Sequence, residues 1–216
     1  GSGKTILCLQ MLANAARNGE KCLYMSFEES ESRLKEHMED FGWEPKELEK
    51  KGKLLIKRFN TFDISRAIDA LFAKTKGELV IDVKPVIIPK GFRPDRIVID
   101  SLTAIASAFI GRESYRSYIE HLFRYLESLG TTSFLITETE EVPKTFSPSG
   151  VEEFLADGVI VLYNLRKGDT RENAIEVLKM RGSRHKKKIV AMQILEGRGI
   201  EIYPEQEVFG RIEGRD

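Results

Sequence analysis

Five residues at the start of the chain, Gly1-Ser2-Gly3-Lys4-Thr5, have the types and the order needed to hold a phosphate. They match the second half of the pattern G-x-x-x-x-G-K-[ST]. Glycines let successive backbone N–H groups curl round an anion with no Cβ in the way. Lys4 would then reach the β- and γ-phosphates of a nucleotide such as ATP, and the Thr5 hydroxyl would ligate Mg²⁺. The apolar, helix-forming run from Ile6 to Arg17 points its positive end at the same charge. Gly1, Ser2, Gly3, Lys4, Thr5 and Ile6 are the expected nucleotide contacts. The chain has no initiator Met and starts inside the motif, so the pattern expects a further glycine and a strand ahead of Gly1.

Acids at two strand ends extend this chemistry. Asp100 closes the apolar run Arg96-Ile97-Val98-Ile99, and a carboxylate there can hold Mg²⁺ opposite Thr5, directly or through water. That strand is expected beside the one leading into the phosphate loop. Glu28 and Glu29 close the run Cys22-Leu23-Tyr24-Met25-Ser26-Phe27. Ligands of open α/β sheets bind beyond the carboxyl ends of the strands, so these glutamates face the γ-phosphate region. A carboxylate so placed can orient an attacking water and partly deprotonate it. Adjacent side chains point to different sides, so one of the two is expected to act on water. Charge complementing the dipole of the following helix is the other role open to them. Later, Lys179-Met180-Arg181-Gly182-Ser183-Arg184-His185 closes a strand and opens a basic turn. Two readings stand: a solvated hairpin, or Lys179 and Arg181 as cationic fingers on a transition-state phosphate. The residues alone do not separate them.

Strand–helix alternation supplies the elements that would position these groups. The spacing predicts a helix over 4–18, with Leu7, Met11, Leu12, Ala15 and Ala16 inward, and a strand over 21–27. Ser30 is placed to cap a helix over 31–41, and Pro45 to start a short one ended by Gly52. A strand over 53–59 and a helix over 64–76, capped by Asp63, follow. Residues 77–94 break the rhythm with Pro85, Pro89 and Pro94, yet are too apolar for a solvated loop. They read as an insertion that packs on the core or on another subunit. A strand at 96–101, a helix over 113–129 and a strand at 132–138 come next, then a Pro/Ser/Gly loop over 139–150. Thereafter the pattern is strands alone: 158–165, a Gly168-Asp169 turn, 174–181, 188–195 and 199–203. The fold class is α/β, a mainly parallel central sheet flanked by helices and extended by C-terminal antiparallel strands. Residues 1–210 make one domain, and 211–216 read as a tail left by a protease-cleavage linker.

Composition narrows the functional classes. Lys and Arg total 34 against 34 Asp and Glu, so nothing in the balance demands a nucleic acid or an anionic membrane. The longest apolar runs are strand-sized and too short to span a bilayer. Cys8 and Cys22 read as structural thiols of a reducing, cytoplasmic setting. Charged residues make up 31%, and glutamine occurs only as Gln10, Gln193 and Gln206, a bias resembling thermophile proteins.

Taken together, the motifs resemble the KaiC-like branch of the RecA superfamily of P-loop ATPases. The resemblance runs from Gly-Ser-Gly-Lys-Thr through Ser-Phe-Glu-Glu (26–29), Phe-Gly-Trp (41–43) and Ile-Asp-Ser-Leu (99–102). It continues through Gly-Val-Glu-Glu-Phe (150–154) to Lys-Met-Arg-Gly-Ser-Arg-His (179–185). It implies hexameric rings with ATP between subunits and hydrolysis served by the pair matching Glu28 and Glu29. Lys179, Arg181, Ser183 and His185 would then contact the nucleotide held by the neighbouring subunit. Two departures bear on activity. Clock members of the family carry two such domains and this chain shows one. The Ser/Thr pair phosphorylated in their kinase half corresponds here to Glu152 and Glu153, which argues against autokinase activity. The 77–94 stretch looks longer than in clock proteins, as in single-domain archaeal relatives.

The expected function is a Mg²⁺-dependent, slow, ring-forming regulatory ATPase acting through a protein partner. Two rivals share the phosphate loop. A DNA-strand-exchange ATPase of the RadA/RecA type would bind DNA through loops such as 138–154. That segment carries Glu138, Glu140, Glu141, Glu152 and Glu153 against Lys144 alone, and repulsion by phosphate makes it a poor DNA surface. A small-molecule kinase would close an arginine-rich lid, and the strand-rich tail offers none.

Overall fold

The computed structural model describes residues 1–60, 64, 84–86, 88–109, 111–138 and 147–208. Among these, four strands form a parallel sheet: β1 (Cys22–Ser26), β2 (Leu54–Arg58), β3 (Arg96–Asp100) and β4 (Thr132–Leu135), in the order β2-β1-β3-β4. Every residue of β1 is buried, as a central strand covered on both faces must be. Alternation along the strand divides its side chains between two cores. Tyr24 joins Leu9, Leu12, Leu34 and Met38 on one face. Leu23 and Met25 join Ile97, Ile99, Tyr118, Ile119 and Leu122 on the other.

The helices are α1 (Lys4–Arg17), α2 (Glu31–Asp40), α3 (Pro45–Lys50), α4 (Leu102–Ala106), α5 (Arg112–Ser128) and α6 (Glu152–Leu155). Those expected from spacing lie within two residues of their expected limits. Ser30 caps α2 by accepting from the Arg33 N–H at 3.3 Å, as its position predicts. The short helices α4 and α6 were not expected, because four or five residues show no periodicity. The helix expected at 64–76 and the tail 211–216 lie outside the described residues, apart from Ile64, which is buried. So does most of the loop at 139–150. The proline-rich insertion packs on this chain's own core where it is described. Val86 is buried, Ile88 and Phe92 pack on the second core, and the Tyr118 hydroxyl donates to the Pro85 carbonyl at 3.1 Å.

The late strands are antiparallel, as the pattern predicts, and among the described residues they are hydrogen-bonded as a second sheet. It comprises β5 (Gly158–Lys167), β6 (Thr170–Met180), β7 (Val190–Leu195) and β8 (Gly199–Glu207), in that order. Helix α1 joins the two sheets. Ile6 and Leu7 pack against Ile175, Met192 and Ile200, and Leu7 and Met11, expected fully inward, are half-buried. The Gln10 amide completes the joint, donating to the Ile200 carbonyl at 3.1 Å and accepting from its N–H at 2.7 Å. A side chain thereby satisfies the outward N–H and carbonyl of Ile200 on the edge strand β8. Gly199 makes room for it, since a Cβ there would lie 2.5 Å from Gln10 Oε1 and 2.6 Å from Trp43 Cζ2. Gln10→Ala should lower stability by about 1–3 kcal/mol in urea unfolding, because a half-buried donor and acceptor both lose their partner.

Candidate nucleotide-binding site

The site is assembled by strand register. Ser26 at the end of β1 lies opposite Asp100 at the end of β3, and the pairing continues with Phe27 N–H donating to the Asp100 carbonyl at 2.7 Å. The turn after β1 therefore runs beside Asp100 and Ser101. Gly3 adopts φ 92°, ψ 14° at the start of α1, a left-handed conformation open to glycine. A Cβ there would also lie 3.0 Å from Ile194 Cδ1. No side chain caps α1, so its first N–H groups stay available to an anion. Lys4 Nζ lies 3.9 Å from Glu138 Oε1, just beyond β4, in a long ion pair whose lysine is partly exposed and whose glutamate is largely so.

Thr5 and Asp100 are brought together as the sequence predicts. Thr5 Oγ1 donates to Asp100 Oδ2 at 3.1 Å, and the buried Tyr24 hydroxyl donates to the same oxygen at 2.5 Å. Burial raises the pKa of Asp100, the two hydrogen bonds oppose that rise, and the charges of Glu28 and Glu29 add to it. Tyr24 is pushed far up by burial, then by the Asp100 charge, so it serves only as a donor. Cys8 is pushed up to about 12, chiefly by burial and then by Asp100, which keeps it a neutral thiol. The donors are hard oxygens suited to Mg²⁺. Among the described residues no three His, Cys, Asp or Glu cluster as a metal cage. The set thus fits a cation shared with a phosphate, which needs only one or two protein oxygens.

The structure separates the two glutamates. Glu28 Oε1 accepts from the Ser101 hydroxyl, which places it on the Asp100 side of the turn. Ser101 also caps α4 through the Ala104 N–H at 3.2 Å, so its hydroxyl is fixed from two directions. Glu29 turns to α2 instead, where its Oε2 lies 3.2 Å from both Arg33 Nε and His37 Nε2. Ser26 Oγ fixes this divergence by accepting from the Glu29 N–H at 3.0 Å and donating to its carbonyl at 2.8 Å.

The basic group of β6 surrounds the end of α6. Lys179 Nζ donates to the carbonyls of Glu153, Phe154 and Ala156 at 2.8, 3.2 and 2.7 Å. Arg181 donates to the Phe154 carbonyl at 2.6 Å and pairs with Asp157 at 3.6 Å. Cations are suited to this place because the helix ends in unpaired carbonyls. Ser183 is exposed, and both ring nitrogens of His185 are shielded without a partner among the described residues. Ile6, expected at the nucleotide, places its side chain in the packing around α1. Sequence reasoning missed Tyr24, and the available signal was a hydroxyl inside an otherwise apolar buried strand, which needs a partner.

The parallel sheet, its flanking helices and the added antiparallel sheet define the class, an α/β domain with a RecA-like fold. No described helix is long and apolar enough to cross a membrane. The chain belongs to the KaiC ATPase family, whose model, described as ATPase: KaiC, matches residues 1–207. It is 32% identical over 204 residues to circadian clock protein KaiC3 of Synechocystis, covering 94% of this chain and 40% of that protein. Circadian clock oscillator protein KaiC 1 of the same organism is 32% identical over 216 residues, covering 94% and 38%. The chain thus spans about two fifths of the length of these relatives. A solved KaiC-like protein of the hyperthermophilic archaeon Pyrococcus horikoshii superposes with a TM-score of 0.74 at 31% identity, covering 94% of this chain and 85% of that one.

Proposed function

We propose that this domain binds ATP with Mg²⁺ and hydrolyses it slowly to ADP and phosphate, as a regulatory module that assembles into rings. The observation carrying this reading is the grouping of Thr5, Asp100, Ser101 and Glu28 at the carboxyl edge of the parallel sheet, in front of α1. Lys4 and the N–H groups of α1 hold the phosphates, with Lys4 exchanging Glu138 for the stronger anion. Thr5 and Asp100 would hold Mg²⁺, which when bound would supply neutralisation of phosphate charge. Glu28, steadied by Ser101, orients a water for attack on the γ-phosphorus and accepts its proton, while ADP leaves. Glu29 serves as an anchor of α2.

Lys179, Arg181, Ser183 and His185 act on the nucleotide of a neighbouring copy in a hexamer. Two observations support this. The cations bond to residues 153–157 of their own chain and not to Gly1–Thr5, and His185 has shielded ring nitrogens with no described partner. Glu152 is buried against Tyr115 and Ser149 and offers no hydroxyl for phosphate, in keeping with hydrolysis rather than autophosphorylation. A cytoplasmic setting accords with two free, buried cysteines.

The test is Lys4→Ala. ATP affinity measured by fluorescence titration should fall at least thirtyfold, about 2 kcal/mol, because a charged partner of the phosphates is lost. Wild-type affinity in this variant removes the phosphate-loop assignment.

A further inference from the structure

Tyr24 occupies the middle of the fully buried strand β1, between Leu23 and Met25. On its own face of the sheet it lies among the apolar Cys22, Ile56 and Val98, with the buried Ser26 beyond it at the strand end bonded back to Glu29. Packing alone would be served as well by phenylalanine, since a buried phenol is a liability unless its hydroxyl is bonded. The hydroxyl is bonded, and its acceptor is Asp100 Oδ2, the oxygen that also accepts from Thr5. These two donors reach that oxygen from different bodies, Thr5 from the first turn of α1 and Tyr24 from the centre of the sheet. Among the described residues both side-chain hydrogen bonds to this carboxylate fall on Oδ2. Oδ1 is left without a donor there.

We propose that Tyr24 is a positioning residue for the cation of the nucleotide complex. Its hydroxyl fixes the rotation of the Asp100 carboxylate from the rigid sheet, whatever the setting of α1, and so presents a preoriented oxygen to Mg²⁺. The inference rests on the Mg²⁺–nucleotide reading above and adds a specific determinant of metal affinity to it. Without the phenol, Asp100 is oriented by Thr5 alone, whose own oxygen is also expected to ligate the metal.

The experiment uses Mn²⁺ as a spectroscopic stand-in for Mg²⁺ and ADP to avoid turnover. Free Mn²⁺ is followed by electron paramagnetic resonance as the metal is titrated into the ADP-saturated full chain. Binding of ADP in EDTA is measured in parallel. In Tyr24→Phe the Mn²⁺ affinity should fall by about tenfold or more, the usual scale for loss of an outer-shell partner. ADP affinity in EDTA should stay within about twofold, since the phenol donates to the Asp100 carboxylate and the metal is absent. In an Asp100→Asn background the same substitution should change Mn²⁺ affinity by no more than about twofold, because the group it positions is already lost. Unchanged Mn²⁺ affinity in Tyr24→Phe overturns the proposal. An equal loss with and without the Asp100 carboxylate does so too, and makes the phenol a packing group. Wild-type protein that binds neither ADP nor Mn²⁺–ADP would instead sink the nucleotide reading itself.

Discussion

Glu28→Gln should slow ATP hydrolysis by about 10²–10⁴-fold, the range supplied by a positioned acid–base group, and leave ATP affinity nearly intact. Glu29→Gln slows it by less than about tenfold, since the residue acts through the helix it anchors and not on water. The contrast follows from the turn after β1, where Ser26 Oγ holds the Glu29 backbone and sends the two side chains apart. Glu28 meets Ser101, next to the Asp100 carboxylate proposed to hold the cation, and Glu29 meets Arg33 and His37 on α2. Phosphate release at saturating ATP measures the first effect, and thermal melting of Glu29→Gln registers the weakened α2 contacts. Equal losses in the two variants would mean that the contact with Ser101 does not select the catalytic member.

Arg181→Ala should slow hydrolysis by about 10²-fold or more while changing ATP affinity little, as expected of a cation that chiefly stabilises transition-state charge. The geometry makes Arg181 the better probe of the two cations. Lys179 is tied to three carbonyls at the end of α6, so its removal disturbs the helix itself. Arg181 is about half exposed, at 55%, and is held by one carbonyl of α6, that of Phe154, and a long, wet pair with Asp157, so its removal disturbs α6 less. Mixing Arg181→Ala subunits with Glu28→Gln subunits should restore part of the activity, because some junctions then join an intact glutamate to an intact arginine. A cis role gives no rescue when exchange of subunits is demonstrated. A hairpin without function gives nearly normal hydrolysis in Arg181→Ala alone.

Much of this architecture was legible because it is periodic or local. The run Gly1–Thr5, the cap at Ser30 and the apolar strands ending in acids each announce themselves within a few residues. Features set by distant parts of the chain were not. Tyr24 meets an acceptor 76 residues away, and nothing near it in sequence indicates that partner. The different directions of Glu28 and Glu29 depend on a serine hydroxyl folded back on its own turn, which no alternation rule encodes. The docking of α1 on the last strand depends on a glutamine in the first helix meeting Ile200, 190 residues away.

The clasp between α1 and β8 also makes the phosphate loop and the second sheet a single mechanical train. Ile194 of that sheet sits against Gly3, and Gln10 grips Ile200 two turns further along the same helix. A shift of α1 toward a bound phosphate must therefore drag the antiparallel sheet or break the grip. By thermodynamic reciprocity, any load on the outer sheet that favours one setting of α1 alters nucleotide affinity by the same factor with which the nucleotide favours that setting. A helix that meets the phosphate at one end and the sheet along its flank acts as a crankshaft, so force applied to the rim of the molecule is read at its chemical centre.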